Sequence, residues 1–536
     1  MPDKKKLGSY YTPEFLSRFI FDHIQVRLTN LKYLRLLEPS VGDGSFIKSF
    51  NLTKFPDSVS SFKFDIVEKI EKELAKAKIQ SETNSQHNCK FNFKRKDFLD
   101  IPLHTDLRYD LVLGNPPYIK KSYLSKTQII KCQKIYEVAG LKKRAIKNIW
   151  TSFLVGSCQI VADTGILAFV LPAELLQVNF SKEIRQYLIA NFSRLEIFTF
   201  ENLLFECKGQ DTILLFAYKQ HPVSGEFFTH INDLTQLASN QFSLLQNNAL
   251  QITETKWTHH LILEDDLIFL HNIRKYIKTL DHYCDAKPGI VTAANDFFIV
   301  TKEIEKKYRL TKFLRPIIQN SSYVNGRVEF GLSEYKQLVI RGKPAKILCL
   351  TDKEVTRLPL KVQEYILQGV KQGLPGGYKC SKREHWFVVP NISTIPSGFF
   401  FRRVHQYPKL LKNSAKVLVT DSAYKFDMVP QFNINSLIFS FYNSLTLAFC
   451  ELNGRYYGGR VLELTPSEFK DLPIPYMPIK NELFAQFQID FDKKASIGDL
   501  LHTHDQQILC KSLNIAQEDI ERIQEIRRKL LIKRFR

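Results

Sequence analysis

Cysteine is scarce in this sequence and is not arranged for bonding. The chain has nine cysteines in 536 residues, no two of them form a Cys-x-x-Cys pair, and their number is odd. Disulfide frameworks and structural zinc sites need paired or closely spaced cysteines. We therefore expect neither, and we expect no metal.

Long apolar runs are missing as well. No uninterrupted run approaches the ~20 apolar residues that a membrane-spanning helix requires. The first residues, Met1 to Lys6, are largely charged, whereas a signal peptide needs an apolar stretch near its start. We therefore expect no membrane partner and a location in a reducing cytoplasm.

Acidic residues are too few to balance the basic ones. The 55 Asp and Glu residues stand against 76 Lys and Arg residues, which leaves a net charge of +21 and a sequence pI near 9.4. Such an excess favours a polyanionic partner, either a nucleic acid or an anionic membrane surface. The apolar content of 44% and charged content of 24% are ordinary for a folded protein.

The pattern along the chain predicts several domains. A length of 536 residues exceeds what one core usually supports. Up to about residue 217, short apolar runs alternate with helical patterns, which is typical of a doubly wound α/β domain. The predicted strands are Tyr33–Leu37, Phe62–Val67, Tyr109–Leu113, Ile166–Leu171, Leu195–Thr199 and Thr212–Ala217. Two predicted helices are Lys69–Ile79 and Trp150–Val161, the second ended by Asp163-Thr164-Gly165.

The remaining sequence is less regular. We predict a first domain over residues 1–225, a connecting region over 226–284, a mixed α/β domain over 285–478 and a helical segment over 479–536. The last basic stretch, Arg522 to Arg536, is predicted to form a solvated helix face, with contact to a nucleic-acid backbone as the alternative.

A glycine turn follows the first predicted strand. Glu38-Pro39-Ser40-Val41-Gly42-Asp43-Gly44 lies where a strand ends and a helix begins, so its backbone amides face the carboxyl edge of the sheet. The third glycine of a dinucleotide site is absent, because position 47 is Ile, and a nicotinamide cofactor is disfavoured. An acid beside Gly42 and Gly44 suits a ligand with a positive charge and an amino group, such as S-adenosylmethionine.

Two further acids follow at the ends of the next strands. Glu68 lies where a carboxylate would bind both ribose hydroxyls of an adenosyl group. Asp97 would accept from the amine of the cofactor adenine while Phe98 stacks on its ring. Surface acids at strand ends are common, so a purely structural role is the alternative for each.

The motif most informative about chemistry is Asn115-Pro116-Pro117-Tyr118. Two prolines stiffen the turn and remove two backbone donors, which leaves it rich in acceptors. The Asn115 side-chain oxygen and the Pro116 carbonyl suit both hydrogens of a planar exocyclic amine, and Tyr118 suits stacking on its ring. Such an amine attacks a sulfonium methyl in line, so no strong general base is needed beforehand.

In this order of motifs, the sequence resembles the gamma-class, TaqI-like DNA adenine N6-methyltransferases of restriction–modification systems. The resemblance covers residues 7 to 220 motif by motif and 285 to 478 more loosely. It implies a Rossmann-like, S-adenosylmethionine-dependent methyltransferase domain, followed by a mixed α/β target-recognition domain and a helical C-terminal segment. It also implies duplex DNA as partner and a separate cognate restriction endonuclease.

The resemblance assigns further residues. Tyr11 and Thr12 fall in the N-terminal cofactor motif of that class, which implies contact with the methionine end of the cofactor. Phe205 matches the aromatic residue on the far side of the target adenine, although a core position is its alternative, and Lys208 would lie near the same pocket. An adenine held between two rings must be flipped out of the duplex.

The second domain resembles the variable target-recognition region of the same class. Gly289–Phe298 and Gly376–Trp386 are themes shared with related methylases. The predicted DNA contacts there are Lys379, Lys382, Arg383, Arg402 and Arg403, divided between phosphates and guanine edges.

Two other functions remain open at this stage. Asn-Pro-Pro-Tyr also occurs in enzymes that methylate glutamine or base amines of RNA, and an RNA substrate is the first alternative. A non-catalytic DNA-binding subunit with the same fold is the second. We find no nuclease motif of the PD-(D/E)xK type and expect no DNA cleavage by this chain.

Overall fold

The first half of the chain is built on one large sheet. The computed structural model describes residues 11–28, 31–82, 87–104, 106–200, 212–247, 257, 262–324, 326–351, 354–390, 392, 394–457 and 460–535. Within these residues, nine strands form the sheet in the order β3-β2-β1-β4-β5-β7-β6-β8-β9. They are β1 Tyr33–Glu38, β2 Ser61–Glu68, β3 Cys89–Arg95, β4 Tyr109–Gly114, β5 Val161–Pro172, β6 Arg194–Phe200, β7 Thr212–Tyr218, β8 Gly225–Ile231 and β9 Leu245–Gln246.

The strand order contains one reversal that determines where a ligand can bind. β3, β2, β1, β4 and β5 are mutually parallel, and β7 is antiparallel to both β5 and β6. β2 and β3 are added in turn on one side of β1, and the next strand, β4, pairs with the other side of β1. In open α/β sheets, ligands bind outside the carboxyl ends of the strands at such a reversal.

Helices cover both faces of this sheet. They are α1 Glu14–Ile24, α2 Ser45–Leu52, α3 Glu71–Glu82, α4 Lys126–Val138, α5 Ile149–Ile160, α6 Glu174–Gln177, α7 Lys182–Asn191 and α8 Thr235–Ala238. A further helix, α9 Glu264–Arg274, follows β9 in the chain. Because side chains alternate along a strand, Leu36 joins the core beneath α1, α2 and α3, whereas the next residue, Leu37, joins the core beneath α4, α5 and α7. The predicted doubly wound domain is confirmed.

The predicted elements agree with the structure. All six predicted strands are present, with bounds extended by up to five residues. The helices predicted over Lys69–Ile79 and Trp150–Val161 are α3, Glu71–Glu82, and α5, Ile149–Ile160. The second helix thus ends where predicted, but the interpretation of Asp163-Thr164-Gly165 as its stop is wrong. These residues lie inside β5, where the pairing with β4 shifts register, because the exposed Asp163 and Thr164 bulge out of the strand.

The chain divides into two compact units, Met1–Leu267 and Ile268–Phe535. Among the described residues of the second unit, three sheets have the strand orders β10-β19-β15-β17-β13, β11-β14-β12-β18 and β16-β21-β20. Their strands are β10 Cys284–Pro288, β11 Ile299–Val300, β12 Leu314–Ile318, β13 Glu329–Phe330, β14 Lys346–Leu348, β15 Gly398–Phe401, β16 Arg403–Val404, β17 Leu410–Asn413, β18 Leu418–Val419, β19 Ala423–Met428, β20 Arg455–Tyr457 and β21 Val461–Glu463. The domain bounds proposed at 225, 284 and 478 stay predictions.

Helices complete the second unit. They are α10 Asn295–Phe298, α11 Lys302–Tyr308, α12 Leu332–Ile340, α13 Leu360–Lys371, α14 Ile434–Phe441, α15 Ser444–Asn453, α16 Pro466–Lys470, α17 Asn481–Lys493, α18 Ile497–Asp505, α19 Lys511–Leu513 and α20 Gln517–Phe535. The mixed α/β character and the helical C-terminal segment are therefore confirmed. None of the described helices is long and apolar enough to cross a bilayer.

The last helix is not the solvated element that its charge predicts. Ile523, Ile526 and Leu530 of α20 are buried, as the helical spacing requires. Arg527 is only 9% exposed and Arg534 5%. The expected solvated face is thus wrong for these two arginines, because their aliphatic stems and charged heads are enclosed by the unit.

Candidate active site

A cavity of about 490 Å³ opens at the carboxyl ends of β1, β2, β3 and β4, beside the reversal in strand order. Its lining includes most of the residues predicted for the cofactor and part of the Asn-Pro-Pro-Tyr motif. These are Tyr11, Thr12, Glu38, Ser40, Gly42, Glu68, Asp97, Phe98, Asn115 and Pro117. The fold thus brings together side chains that are as much as 106 positions apart in the sequence.

The two glycines of the first turn have different roles. Both have left-handed backbone angles, with φ of +56° at Gly42 and +87° at Gly44. The Tyr11 ring lies against Gly42, 3.6 Å from where a Cβ would be, whereas a Cβ on Gly44 would meet the backbone of Ala77 at 3.0 Å. Gly42 therefore faces the cavity, while Gly44 allows α3 to pack closely against the turn.

Glu38 is the most unusual group in the cavity. It is fully buried at the tip of β1, and among the described residues neither of its carboxylate oxygens has a hydrogen-bond partner. Burial raises the pKa of Glu38 well above its usual value, and the negative charges of Asp43 and Glu68 raise it further. An unpartnered buried carboxylate is costly by itself and is explained by a cationic or hydrogen-donating ligand.

Other carboxylates line the same cavity. Glu68 accepts from the backbone amides of Gly42 (3.2 Å) and Ile70 (2.9 Å), which fixes its position at the end of β2. Burial raises the pKa of Asp43, and the charge of Glu73 adds to the shift. The cavity is therefore locally acidic within a protein of net charge +21. In the described part of the chain, no group of three or more His, Cys, Asp or Glu side chains is arranged to hold a metal ion.

Asp97 and Phe98 form the far wall of the cavity. Asp97 caps a short 3-10 turn by accepting from the backbone of Leu99 (3.2 Å), and it also pairs with Lys69 at 3.3 Å. Phe98 is 1% exposed and packs on Phe153 with ring centroids 4.9 Å apart. One carboxylate and one aromatic wall are thus held side by side.

Asn115 joins three parts of the site. Its Nδ2 donates to the hydroxyl of Thr12 at 3.3 Å, and its backbone carbonyl accepts from the hydroxyl of Ser40 at 3.1 Å. Thr12 is 7% exposed and its own carbonyl accepts from Ser45 at 2.8 Å. The N-terminal segment and the glycine turn therefore fix both the backbone and the amide plane of Asn115.

Pro116 and Tyr118, also predicted to be catalytic, lie apart from the cavity lining. Pro116 is buried, and Tyr118 is 6% exposed with its hydroxyl donating to the carbonyl of Val170 at 3.1 Å. Phe205 and Lys208 lie outside the described residues. The stacking of Phe205 on the target base and the DNA contact of Lys208 stay predictions.

Several lining residues have no recognisable signal in the sequence. Ile149 and Phe153 reach the cavity from α5, and Gln128 reaches it from the first turn of α4. Gln128 is detectable only as part of the capping box Ser125-x-x-Gln128, which predicts a helix start and nothing about a ligand. Their contribution depends on how α4 and α5 pack on the sheet.

The arginines predicted to contact DNA are engaged within the second unit. Arg402 and Arg403 both pair with the carboxylate of Glu463, at 2.6 and 2.8 Å. Arg383 donates to the carbonyls of Val291, Thr292 and Trp386, so it ties the Gly289–Phe298 segment to the Gly376–Trp386 segment. Lys379 and Lys382 are exposed, and so is Arg403, whose side chain is 60% exposed despite its ion pair. The structure gives the three arginines structural contacts, and DNA contact stays a prediction for all five residues.

Comparison with known families matches both halves of the chain. Residues 21–205 match the family described as "Eco57I restriction-modification methylase". Residues 254–509 match "Type II methyltransferase M.Eco57I, C-terminal domain".

Individual relatives are distant. The chain is 20% identical over 493 residues to the type II methyltransferase M.AccI of Acinetobacter calcoaceticus, an alignment that covers 87% of this chain and 84% of that protein. It is 22% identical over 213 residues to the restriction enzyme and methyltransferase RM.Eco57I of Escherichia coli, which covers 38% of this chain and only 20% of that protein.

Among solved structures, the type IIL restriction-modification enzyme MmeI in complex with DNA is similar with a TM-score of 0.61. Its sequence identity is 12%, and the match covers 99% of this chain and 80% of that chain. The DrdV–DNA complex has a TM-score of 0.53 at 10% identity and covers 95% of this chain and 58% of that chain. At this identity the likeness shows a shared fold.

Proposed function

We propose that this chain, an Eco57I-like type II restriction-modification methyltransferase by the matches to both of its halves, uses S-adenosylmethionine to methylate the N6 amine of adenine in DNA. One observation carries the proposal. Asn115 stands beside the reversal in strand order, at the wall of an acid-lined cavity, with its amide plane oriented by Thr12. The resemblance to gamma-class enzymes supports the choice of adenine.

The cavity suits this cofactor in charge and shape. S-adenosylmethionine supplies a methyl group on a positively charged sulfonium and also carries an ammonium group. Glu38 has two buried oxygens without partners among the described residues, and Asp43 and Glu68 add negative charge around it. We assign Glu68 to the ribose hydroxyls, and Asp97 with Phe98 to the adenine ring of the cofactor.

The acceptor groups of the motif suit a planar amine. Donation from the Asn115 Nδ2 to Thr12 directs the amide oxygen away from Thr12. That oxygen and the Pro116 carbonyl would accept the two amine hydrogens, which directs the nitrogen lone pair out of the ring plane. Fixed acceptors of this kind lower the barrier because they need little rearrangement during the reaction.

Two aromatic residues complete the proposed base pocket. Tyr118 is fixed through its hydroxyl bond to Val170, so stacking on its ring costs little additional side-chain entropy. Phe205 is proposed as the opposite ring. Stacking contributes roughly 1–3 kcal/mol per base in single-strand complexes, which is comparable with the few kcal/mol that flipping a base costs.

The proposal includes double-stranded DNA as partner and a separate cognate restriction endonuclease. The MmeI and DrdV structures that share this fold are both DNA complexes. RM.Eco57I is described as both restriction enzyme and methyltransferase, but its match to this chain covers one fifth of its length. The nuclease is therefore proposed as another protein.

The test is to express the chain in a bacterial host without adenine methylases and to sequence its DNA for N6-methyladenine. We expect one enriched sequence motif, retained in the Asn191→Ala control and lost in Asn115→Ala. Asn191 bonds only locally, to the Tyr187 carbonyl of α7, so it controls for the substitution type. Soluble protein that binds S-adenosylmethionine yet leaves DNA unmodified would contradict the proposal and favour an RNA substrate.

A further inference from the structure

A short segment directly after Asn-Pro-Pro-Tyr concentrates the positive charge of the protein. Residues 120–147, which we call the lysine segment, contain nine Lys or Arg residues and one acid, Glu137, for a net charge of +8. The whole chain has 536 residues and a net charge of +21. More than a third of the excess charge therefore lies in about one-twentieth of the sequence.

Most of these cations are not neutralised by the protein itself. Three form ion pairs, Lys131 with Asp100, Lys142 with Glu183 and Lys143 with Glu137. The other six have no carboxylate within 4.0 Å among the described residues, and all but one are exposed; they are Lys120, Lys121, Lys126, Lys134, Arg144 and Lys147. A run of charge usually marks a solvated surface, so its position in the fold decides whether it does more.

The lysine segment is anchored at both ends and along its length. The backbone amide of Lys121 donates to the carbonyl of Lys147, and that of Ile149 donates to the carbonyl of Ile119. These two hydrogen bonds hold the ends of the lysine segment together. Along α4, Ile135 and Tyr136 are fully buried in the core. The cations are therefore displayed from a packed scaffold at defined positions.

This scaffold adjoins the proposed catalytic motif. Lys120 follows Tyr118 by two residues, so their Cα atoms are at most about 7 Å apart. Gln128, in the first turn of α4, lines the same cavity as Asn115. The exposed cations thus belong to a segment that begins two residues after Tyr118 and reaches the acidic cavity at Gln128.

We propose that the lysine segment binds the DNA backbone on either side of the target nucleotide. The inference rests on the proposed function and adds to it the surface that holds the substrate. Phosphate contacts position a protein on DNA without reading its sequence, which suits a surface of lysines. An anionic membrane is disfavoured, because membrane-surface helices expose a continuous apolar face. In α4, Cys132, Ile135 and Tyr136 are buried, and the exposed Ile130 and Val138 are separated on the helix surface by the exposed Lys134.

The test compares two double variants with equal loss of charge. Lys126→Gln/Lys134→Gln removes two exposed cations of α4. The control, Lys32→Gln/Lys54→Gln, also removes two exposed cations. These precede β1 and β2 and so lie at the amino ends of the strands, whereas the lysine segment follows the carboxyl end of β4. Binding of a random-sequence 30-base-pair duplex is measured by fluorescence anisotropy between 50 and 200 mM NaCl, together with cofactor affinity and melting temperature.

We expect the salt dependence of DNA binding to be reduced in the α4 variant and unchanged in the control variant. Each lost phosphate contact reduces the slope of log K against log salt by about 0.9, so two contacts change the affinity ratio between 50 and 200 mM by about 12-fold. Cofactor affinity and melting temperature should stay at wild-type values. A slope equal to that of wild type, or an equal change in the control, would overturn the inference.

The outcome is separable from that of the proposed function. If the wild-type protein methylates DNA and the α4 variant keeps the wild-type slope of log K against log salt, only the proposed DNA-binding surface is refuted. A protein that binds DNA through α4 but methylates no DNA supports the surface and refutes the proposed reaction. Stronger binding to phosphatidylserine vesicles than to duplex, lost in the α4 variant, would assign the lysine segment to membranes and refute the inference.

Discussion

Arg534, in the last turn of α20, makes a buried ion pair whose loss should destabilise the second unit. Its Nε and one terminal nitrogen contact the two oxygens of Glu451, each at 2.9 Å, and the two side chains are 0% and 2% exposed. The same guanidinium donates to the carbonyls of His405, Gln406 and Arg460. One side chain thus joins α20 to α15 and to two loops.

The expected cost follows from this burial. Arg534→Met would leave the Glu451 charge unpaired in the core and three carbonyls without their donor. Removing one partner of a buried pair costs about 3–5 kcal/mol. For a domain of this size about 2–4 °C of melting temperature corresponds to 1 kcal/mol, so the second unit should melt roughly 6–20 °C earlier.

The loss should also depend on pH. Burial raises the pKa of Glu451, while the charge of Arg534 opposes the rise. Without Arg534 the carboxyl group takes up a proton more readily in the folded state, which relieves the unpaired charge. The difference in stability between wild type and Arg534→Met should therefore shrink as the pH is lowered from 8 to 6.

Calorimetry of the full chain tests this reasoning with a control on the same helix. Arg528 pairs with Glu525, but the two side chains are 60% and 43% exposed, so Arg528→Met should leave the melting temperature close to that of wild type. A double variant, Glu451→Gln/Arg534→Met, should recover part of the lost stability because neither charge of this pair remains buried. Equal melting temperatures for Arg534→Met and Arg528→Met would refute the argument.

Three further predictions concern the first unit. Glu38→Gln should weaken S-adenosylmethionine binding, measured by calorimetry, roughly 10- to 100-fold. Because the pKa of Glu38 is raised in the folded state, ionising Glu38 lowers the stability of wild type as the pH rises through that pKa. The variant has no such group, so it should lose less stability than wild type between pH 5 and 8. Asp65 is buried and accepts from Lys94 and Tyr109. Burial alone would raise the pKa of Asp65, but these hydrogen bonds hold it below its usual value, so Asp65→Asn should lower the free energy of unfolding by about 1–3 kcal/mol at pH 7. The difference in unfolding free energy between wild type and variant should vanish as the pH falls through the pKa of Asp65. Thr12→Val removes the acceptor of the Asn115 amide, so single-turnover methyl transfer should slow about 10-fold at unchanged melting temperature, and an unchanged rate would show that Thr12 does not position Asn115.

Local sequence predicted the catalytic half of the fold well because its signals are local. Parallel strands buried on both faces appear as short continuous apolar runs, and glycines and prolines mark where the chain turns. The exception at Asp163-Thr164-Gly165 has the same origin. Polar residues and a glycine ordinarily end a helix, and only the register between β4 and β5 shows that they form a bulge.

The distribution of charge predicted the exposure of basic side chains less well than the apolar pattern predicted helices and strands. The basic stretch at the end of the chain predicts a solvated face, yet Arg534 is enclosed because Glu451, 83 positions earlier, lies opposite it. Arg402 and Arg403 likewise meet Glu463, about 60 positions later. A long basic side chain has the same sequence signal whether its partner is a phosphate, water or a distant carboxylate of the same chain.

The sequence by itself determined the fold class and the order of motifs, and it predicted residues for the reaction, because each motif combines a strand end with the groups needed there. Tertiary structure alone decided which carboxylate is without a partner, what orients Asn115 and which side chains close the cavity. These depend on contacts between residues far apart in the chain. The sequence predicts Glu38 and Thr12 as cofactor residues, but only the meeting of β1, β4 and the N-terminal segment buries Glu38 and makes Thr12 the acceptor for the Asn115 amide.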